Sequence, residues 1–185
     1  PVVRPRHAPR GATATPMCRP LTNVRASPGR HKGYDSASSI APTRLADEKG
    51  VADLESGTRG WAFAAGLAAM STTLDVLDSG AHVLVSDDLY GGTFRLFTKV
   101  LANYKLEFTF VDTSDALNVE AAIKPNTKMV FVETPTNPVM IVTDLREVSE
   151  IAQRAGARVV WDTALMSPDV RVRSRLAWTS ALCRP

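Results

Sequence analysis

Four short apolar segments constrain the fold of this chain more than any other feature. HVLVS (82–86), EFTFV (107–111), KMVFV (128–132) and RVVW (158–161) are bounded by polar residues, which is typical of strands. Stretches with helical periodicity separate them. Because strands this apolar must be covered on both faces, the pattern predicts a three-layer α/β/α fold with a mostly parallel sheet.

The connecting segments complete this alternation. A further short apolar segment, WAF (61–63), precedes the second predicted helix, and Gly156 stands where a helix C-cap is expected. Five helices are predicted: TRLADEKGVADLES (43–56), interrupted at Gly50, GLAAMSTTLDVL (66–77), GTFRLFTKVLANY (92–104), DALNVEAAI (115–123) and DLREVSEIAQRAG (144–156).

The distribution of charge divides the chain into three parts. All nineteen acidic residues lie between Asp35 and Asp169, where eleven Lys and Arg leave a net charge of −8. We predict a basic, proline-rich disordered segment over 1–33, one domain over 34–169 and a divergent basic tail over 170–185. A transit peptide is the alternative for the first segment, although its prolines disfavour an amphipathic helix.

Several classes of protein are disfavoured by composition. Cys18 and Cys183 lie in the two end segments, so the central domain has neither a disulfide framework nor a cysteine metal site, and we predict no metal. This cysteine usage fits a reducing compartment, the cytoplasm. We also predict no membrane partner, since no apolar run approaches the roughly 20 residues of a span. No aromatic residue is interleaved with the basic residues before Tyr34, which argues against nucleic acid.

The candidate site residues are those that directly follow the predicted strands. In a parallel sheet, ligands bind beyond the carboxyl ends of the strands, where loops and helix N-termini converge. These positions are Ala65, Gly66 and Leu67 after WAF; Asp87, Asp88 and Tyr90 after HVLVS; Glu133 and Asn137 after KMVFV; and Asp162 after RVVW.

The first two groups each have a functional and a structural explanation. A helix that begins at Gly66 presents unpaired backbone N–H groups to an anion such as phosphate, or its small residues only allow tight packing. Tyr90, followed by two glycines, stacks on a flat ligand or caps the core. Asp87 and Asp88 are explained by local structure, as turn formers or helix caps.

The last two groups are also open to both explanations. ETPTNP contains two X-Pro steps, which predict a rigid, extended loop that aims Glu133 and Asn137 at a ligand or forms only a stiff turn. Asp162 needs a partner, because a carboxylate buried at the end of an apolar strand is costly. That partner is either a backbone N–H or the protonated nitrogen of an aromatic cofactor that withdraws electrons.

Taken together, these residues resemble the transsulfuration enzymes that depend on pyridoxal 5′-phosphate, the family of cystathionine γ-synthase, cystathionine γ-lyase and methionine γ-lyase. The resemblance covers residues 34–169 and implies a truncated large domain of the aspartate-aminotransferase type (fold type I). It also implies a sulfur amino acid as substrate and a homotetramer for the parent enzymes. Five segments carry it, in the family's order: YDSASSIAPTR, FAAGLAAMSTTLDVL, DDLYGGTFRLF, IKPNTKMVFVETPTNP and VVWDTALMSP.

The resemblance implies a role for each residue around the cofactor ring. Tyr90 would stack on the pyridine ring and assist proton transfer to the leaving group, which makes it the candidate catalytic residue. Asn137 would bond the ring hydroxyl, and Asp162 would pair with the pyridine nitrogen. Glu133 matches a position near the hydrogen-bond network of the active site.

The phosphate end of the resemblance is less complete. Backbone N–H groups of Gly66 and Leu67 would hold the phosphate, while Ala65 replaces the usual serine, at a cost on the order of 1 kcal/mol. Ser36 and Ser38 replace a tyrosine and an arginine that reach the phosphate of a neighbouring subunit. A serine cannot reproduce the bidentate charge of a guanidinium.

Two further departures affect the chemistry. Ala41 replaces an asparagine, and Thr163, Ala164 and Leu165 replace the asparagine, threonine and phenylalanine that follow the aspartate in the family. The Schiff-base lysine of the family lies some two dozen residues beyond that aspartate, and no lysine follows Lys128 here.

The hypothesis is therefore a fragment of an enzyme that eliminates or replaces groups at the β or γ carbon, inactive alone. The alternative is a non-catalytic α/β binding or interaction protein. A nucleotide-binding domain is disfavoured, since the chain has neither G-x-G-x-x-G nor a Walker A motif.

Overall fold

The computed structural model describes residues 22–36, 40–166 and 180–182, together with Met17 and Arg19. The chain forms two compact units, residues 1–62 and residues 63–185. Across the described ranges, helices are too short or too polar to cross a lipid bilayer.

The first unit contains a hairpin and a helix. Strands β1 (Arg25–Ser27) and β2 (Arg30–His31) pair antiparallel, and helix α1 spans Pro42–Leu54 with its proline in the first turn. Helix α1 passes through Gly50 without a break, so the predicted interruption is wrong. A single glycine in a helix interior costs only about 1 kcal/mol relative to alanine, which neighbouring turns offset.

The hairpin also limits the predicted disorder of residues 1–33. Residues 25–31 form β1 and β2, whereas residues 1–16 lie outside the described residues. A turn at Pro28 and Gly29 joins the two strands, and Gly29 has a φ of 74°, a conformation that glycine adopts without strain.

The second unit is a βα-alternating domain. Its strands are β3 (His82–Ser86), β4 (Glu107–Val111), β5 (Thr127–Glu133), β6 (Arg158–Asp162) and β7 (Ser180–Leu182). Its helices are α2 (Gly66–Leu74), α3 (Gly91–Arg95), α4 (Ala116–Ala122) and α5 (Leu145–Arg154). Helix α3 continues as a π-helical turn over Leu96–Val100 and a 3-10 turn over Leu101–Tyr104.

The strands form one parallel sheet in the order β4-β3-β5-β6-β7. Alternate residues of each strand face opposite sides, so the sheet has a core on each face. Val83 and Phe131 pack with Leu74 of α2 and Phe97 of the π-helical turn on one face. On the other face, residues from β3, β5 and β6 pack with α4 and α5: Leu84, Val130, Trp161, Val119, Val148 and Ile151. The predicted α/β/α layering is confirmed.

Two elements differ from the prediction. WAF forms no strand in the structure, and Trp61 and Phe63 are exposed. Residues 180–182 of the divergent tail form β7, whose backbone pairs parallel with β6. Pairing of backbone N–H and C=O groups along a free sheet edge depends little on side chains, so composition could not indicate this strand.

Strand order creates a topological switch point between β3 and β5. The chain leaves β3 through α3 on one face of the sheet and leaves β5 toward α5 on the opposite face, although the two strands are neighbours. The connections after β3 and β5 therefore lead to opposite faces of the sheet, and in open parallel sheets such a point is where ligands generally bind.

Candidate functional site

The switch point brings together the two loops that carry Tyr90 and Asn137. The β3 exit loop comprises residues 87–90, and the β5 exit loop comprises residues 134–144. Residues that are far apart in the sequence lie close together here because β3 and β5 are hydrogen-bonded neighbours in the sheet.

Glu133, the last residue of β5, bonds both loops through its carboxylate. The backbone N–H of Tyr90 donates to Oε2 at 3.0 Å and to Oε1 at 3.2 Å, and the N–H of Asn137 donates to Oε1 at 2.9 Å. The side chain is 5% exposed. Glu133 therefore holds the backbones of the two loops rather than projecting freely toward a ligand.

Asp88 makes the reciprocal connection from the β3 loop. Its Oδ2 accepts the hydroxyl of Thr136 and, at 3.1 Å, the backbone N–H of Val139. The sequence offered only turn formation or capping for this aspartate, whereas the structure shows a bond to a segment some fifty residues away. The neighbouring Asp87 is exposed, and its carboxylate accepts the N–H of Asp88 at 2.8 Å.

The β5 loop is a turn rather than the extended segment that its prolines predicted. Thr136 N–H donates to the carbonyl of Ile141 at 3.0 Å, and Met140 N–H donates to the carbonyl of Thr136 at 3.1 Å. Both X-Pro bonds, at Pro135 and Pro138, are cis. Asn137 lies on this turn with its side chain exposed, where it is accessible to a ligand.

A series of hydrogen-bonded hydroxyl groups connects the carboxyl end of β3 to the loops after β4 and β5. Ser86 at the end of β3 accepts the N–H of Glu133 at 3.2 Å, and its Oγ lies 3.0 Å from Oγ1 of Thr113. Thr113 in turn lies 2.9 Å from Thr143, whose N–H donates to Thr134 at 3.1 Å. These groups are buried, so the exit loops of β3, β4 and β5 are fixed to one another by satisfied hydrogen bonds.

Tyr90 presents a partly exposed ring at this edge. Its side chain is 49% exposed, and a Cβ at Gly92 would lie 2.3 Å from ring atom Cε1. The ring therefore rests on the backbone of Gly92, and a side chain at that position would require the ring to move. The absence of a side chain at Gly92 thus makes room for the tyrosine ring. A Cβ at Gly91 meets nothing closer than the end of Arg95 at 3.6 Å.

Asp162 ends β6 directly beside Glu133. The two residues are Cα partners in adjacent strands, and Asp162 is 3% exposed. Its Oδ1 accepts the N–H of Ala164 at 3.1 Å, so the backbone partner that the sequence allowed is present. Burial, with smaller contributions from the charges of Asp162 and Asp88 and against the N–H donors of Tyr90 and Asn137, raises the pKa of Glu133 to about 7.

Helix α2 begins near the same edge. The hydroxyl of Thr93, in α3, donates to Sδ of Met70 at 3.3 Å, so early turns of α2 and α3 lie in contact. Ala65 is the N-cap but makes no capping bond, and the first turn contains no acidic residue. Backbone N–H groups at Gly66 and Leu67 thus begin a nine-residue helix at an exposed position. Such an end attracts an anion.

The structure therefore brings four predicted residues into one connected group. Tyr90, Glu133 and Asn137 are linked by hydrogen bonds, and Asp162 is joined to Glu133 by strand pairing. Ala65, Gly66 and Leu67 stand apart from this group at the start of α2. Ser38 lies outside the described residues.

The bridging role of Asp88 was not predicted from the sequence. Its only signal was an acidic pair immediately after a buried strand.

This architecture defines a class of protein, an α/β protein whose candidate site residues lie at the switch point of a parallel sheet. A sequence profile of the family described as Cys/Met metabolism PLP-dependent enzyme matches residues 5–175. The chain belongs to that family, whose cofactor is pyridoxal phosphate.

Individual relatives agree with this assignment. The chain is 44% identical over 158 residues to a cystathionine gamma-lyase of Bacillus subtilis (strain 168), covering 85% of this chain and 42% of the relative. It is 44% identical over 162 residues to a cystathionine beta-lyase of Coxiella burnetii, covering 87% and 42%. The crystal structure of cystathionine gamma-lyase from Lactobacillus plantarum complexed with L-serine matches with a TM-score of 0.82 at 40% identity, covering 88% and 42%. The chain thus spans about two fifths of the length of these relatives.

The donor set fits pyridoxal phosphate in its chemistry. The cofactor has an anionic phosphate, a flat ring, a ring hydroxyl and a basic ring nitrogen. Helix α2 offers open N–H groups without a competing acidic residue, Tyr90 offers an exposed ring face, and Asp162 offers a carboxylate. An exposed amide on the β5 loop matches the hydroxyl.

Proposed function

We propose that this chain is the cofactor-binding part of a pyridoxal-phosphate-dependent transsulfuration enzyme that acts on sulfur amino acids. The reaction would be elimination or replacement at the β or γ carbon. The observation that carries the proposal is the connected group of Tyr90, Glu133, Asn137 and Asp162 at the switch point. Relatives named as cystathionine gamma-lyase and beta-lyase support the substrate class.

Each residue has a distinct task in this proposal. The N–H groups of Gly66 and Leu67, beside Ala65, bind the phosphate, and the amide of Asn137 orients the ring through its hydroxyl. Tyr90 covers one face of the ring and moves a proton at its phenol oxygen. The carboxylate of Asp162 holds a proton at the pyridine nitrogen, an interaction that burial strengthens because water competes less. Bound pyridoxal phosphate supplies the electron sink for the carbanion.

Glu133 supports these residues from beneath. Its carboxylate accepts N–H groups from the loops of Tyr90 and Asn137, and in this proposal it makes no direct contact with the cofactor. We therefore propose that Glu133 contributes to cofactor binding by fixing the positions of these two residues.

The chain alone is proposed to have little or no activity. No lysine follows Lys128, and the six lysines that exist lie in segments other than the one that carries the family's Schiff-base lysine. We place the protein in the cytoplasm, in line with its cysteine usage. A homotetramer is proposed for the parent enzymes only.

Titration of the purified 185-residue chain with pyridoxal phosphate tests this function. We expect saturable, non-covalent binding, detected by calorimetry and by cofactor absorbance, that weakens on Asp162→Ala and on Tyr90→Ala. Borohydride treatment should leave no single lysine labelled stoichiometrically. Asp112→Ala, an exposed aspartate after β4, is the matched control and should bind like the wild type.

Two outcomes would contradict the proposal. Folded protein that binds no pyridoxal phosphate would favour the non-catalytic α/β binding protein. Stoichiometric labelling of one lysine would show that the chain carries a Schiff-base residue in another segment, and the predicted inactivity would be wrong.

A further inference from the structure

Two carboxylates connect the exit loops of β3 and β5 in opposite directions. Glu133 belongs to β5 and accepts the N–H of Tyr90 in the β3 loop at 3.0 Å. Asp88 belongs to the β3 loop and accepts the N–H of Val139 in the β5 loop at 3.1 Å, together with the hydroxyl of Thr136. Each loop thus supplies one acceptor and at least one donor to the other.

We propose that Asp88 and Glu133 form a reciprocal clasp that fixes Tyr90 and Asn137 relative to each other, and that Asp88 is thereby a positioning residue of the site. The part of this inference that concerns a bound ring rests on the proposed function. The clasp itself depends only on the hydrogen bonds of this chain.

Reciprocity distinguishes a clasp from two independent turns. Asp88 makes no bond to the N–H of Tyr90; it holds the β5 loop, and Glu133 at the start of that loop holds Tyr90. If these bonds act as one unit, breaking the contacts of Asp88 loosens Tyr90 as well, because hydrogen bonds that share carboxylates and loops form a coupled network. A local turn former would affect only its own contacts.

The acceptor strength of the clasp depends on protonation. Burial raises the pKa of Glu133 to about 7, with smaller contributions from Asp162 on β6 and Asp88 on the β3 loop, so the carboxylate gains a proton near neutral pH. A neutral carboxyl accepts hydrogen bonds less strongly than a carboxylate. The clasp should therefore loosen as the pH falls below 7.

Amide hydrogen exchange of the full chain without cofactor tests the clasp. Asp88→Ala should accelerate exchange at Val139 and, about tenfold, at Tyr90, and Glu133→Gln should accelerate it at Tyr90 and Asn137. Asp87→Ala removes the same charge one residue away; it loses the bond to the N–H of Asp88 but leaves both bonds from the Asp88 carboxylate to the β5 loop, so exchange at Val139 and Tyr90 should stay at the wild-type rate. Acceleration confined to Val139 in the Asp88→Ala variant would overturn the clasp.

The conservative variant guards against a folding defect. Asp88→Asn keeps one oxygen acceptor but loses the charge, so protection at Tyr90 should fall measurably below the wild type and stay above that of Asp88→Ala, while the exchange rates of core amides in β3 stay at the wild-type value. If Asp88→Ala is unfolded, the comparison of Asp88→Asn with Asp87→Asn replaces it. Equal protection of Tyr90 in these two variants and in the wild type would then count against the clasp.

Cofactor titration separates this inference from the proposed function. If Asp88→Ala loosens Tyr90 and also weakens binding of pyridoxal phosphate about tenfold relative to Asp87→Ala, both stand. If the loops loosen but no variant binds cofactor, the clasp stands and the function fails. Undiminished binding by a loosened Asp88→Ala variant would remove the positioning role and leave the function intact.

Discussion

Glu133→Gln should make the folded chain more stable at alkaline pH, although it weakens the site. The pKa of Glu133 rises from 4.5 to about 7 on folding, chiefly through burial. The folded state therefore holds a proton that the unfolded state has released, and the free energy of unfolding decreases as the pH rises from 4.5 to 7. Glutamine has the same size and an oxygen acceptor but no charge to desolvate.

The magnitude follows from the size of this shift. At about 1.36 kcal/mol per pKa unit, the rise from 4.5 to about 7 means that the ionised carboxylate costs at most about 3.4 kcal/mol of unfolding free energy, and we halve this to about 1.7 kcal/mol for solvent screening at the sheet edge. The wild type should lose this amount between pH 4.5 and pH 8. The variant should show no such loss from this position.

Urea denaturation of both proteins at half-unit steps from pH 5 to pH 8.5 measures the effect. Glu150→Gln, an exposed glutamate on α5, is the matched control, and its stability should follow that of the wild type across the whole range. Parallel profiles for the wild type and Glu133→Gln would refute the reasoning, since they would mean that Glu133 ionises alike in the folded and unfolded states.

Two other predictions concern the tyrosine and the sheet. Gly92→Ala should displace the ring of Tyr90 and weaken cofactor binding, because its Cβ would lie 2.3 Å from the ring. Gly91→Ala is the control and should bind cofactor like the wild type. Equal binding by both variants would contradict the packing of the ring on Gly92. Burial, aided by Lys124 and opposed by Glu107, lowers the pKa of His82, so stability should fall as the pH drops below 6.5. His82→Gln in the Glu133→Gln background should remove this acid loss in urea titrations; persistence of the loss would place it in another group.

Strands were the part of the fold that sequence predicted best. The bounds of β3 and β4 match the prediction to the residue, β5 is one residue longer at each end, and β6 is one residue longer at its carboxyl end. Continuous apolar runs between polar residues leave little freedom in where a buried strand starts and stops. Helix ends shifted more, as at α2, which ends at Leu74 rather than at residue 77, because terminal turns depend on capping contacts rather than on periodicity.

The residues of the candidate site could be predicted from the sequence, but the contacts between them could not. Residues at strand ends can be named from the sequence, and the parallel sheet collects them at one edge. The bonds of Asp88 and Glu133 depend on β5 pairing with β3 rather than with β4, its predecessor in the chain. No local pattern encodes that order. The ring of Tyr90 on Gly92 is likewise a matter of side-chain direction, which the spacing of the two residues does not determine.

Placement of polar residues at the strand ends links the fold to the function. The alternation that builds the two cores gives way at the carboxyl edge, where Ser86, Glu133 and Asp162 end β3, β5 and β6 and are all buried. Apolar residues there would avoid the desolvation of two adjacent carboxylates. Keeping carboxylates there lowers the stability of the fold, but it places hydrogen-bond acceptors at the edge where the exit loops lie. Comparing the gain in unfolding free energy of Glu133→Gln with the faster amide exchange of its loops therefore measures how much stability this fold loses in order to hold the site.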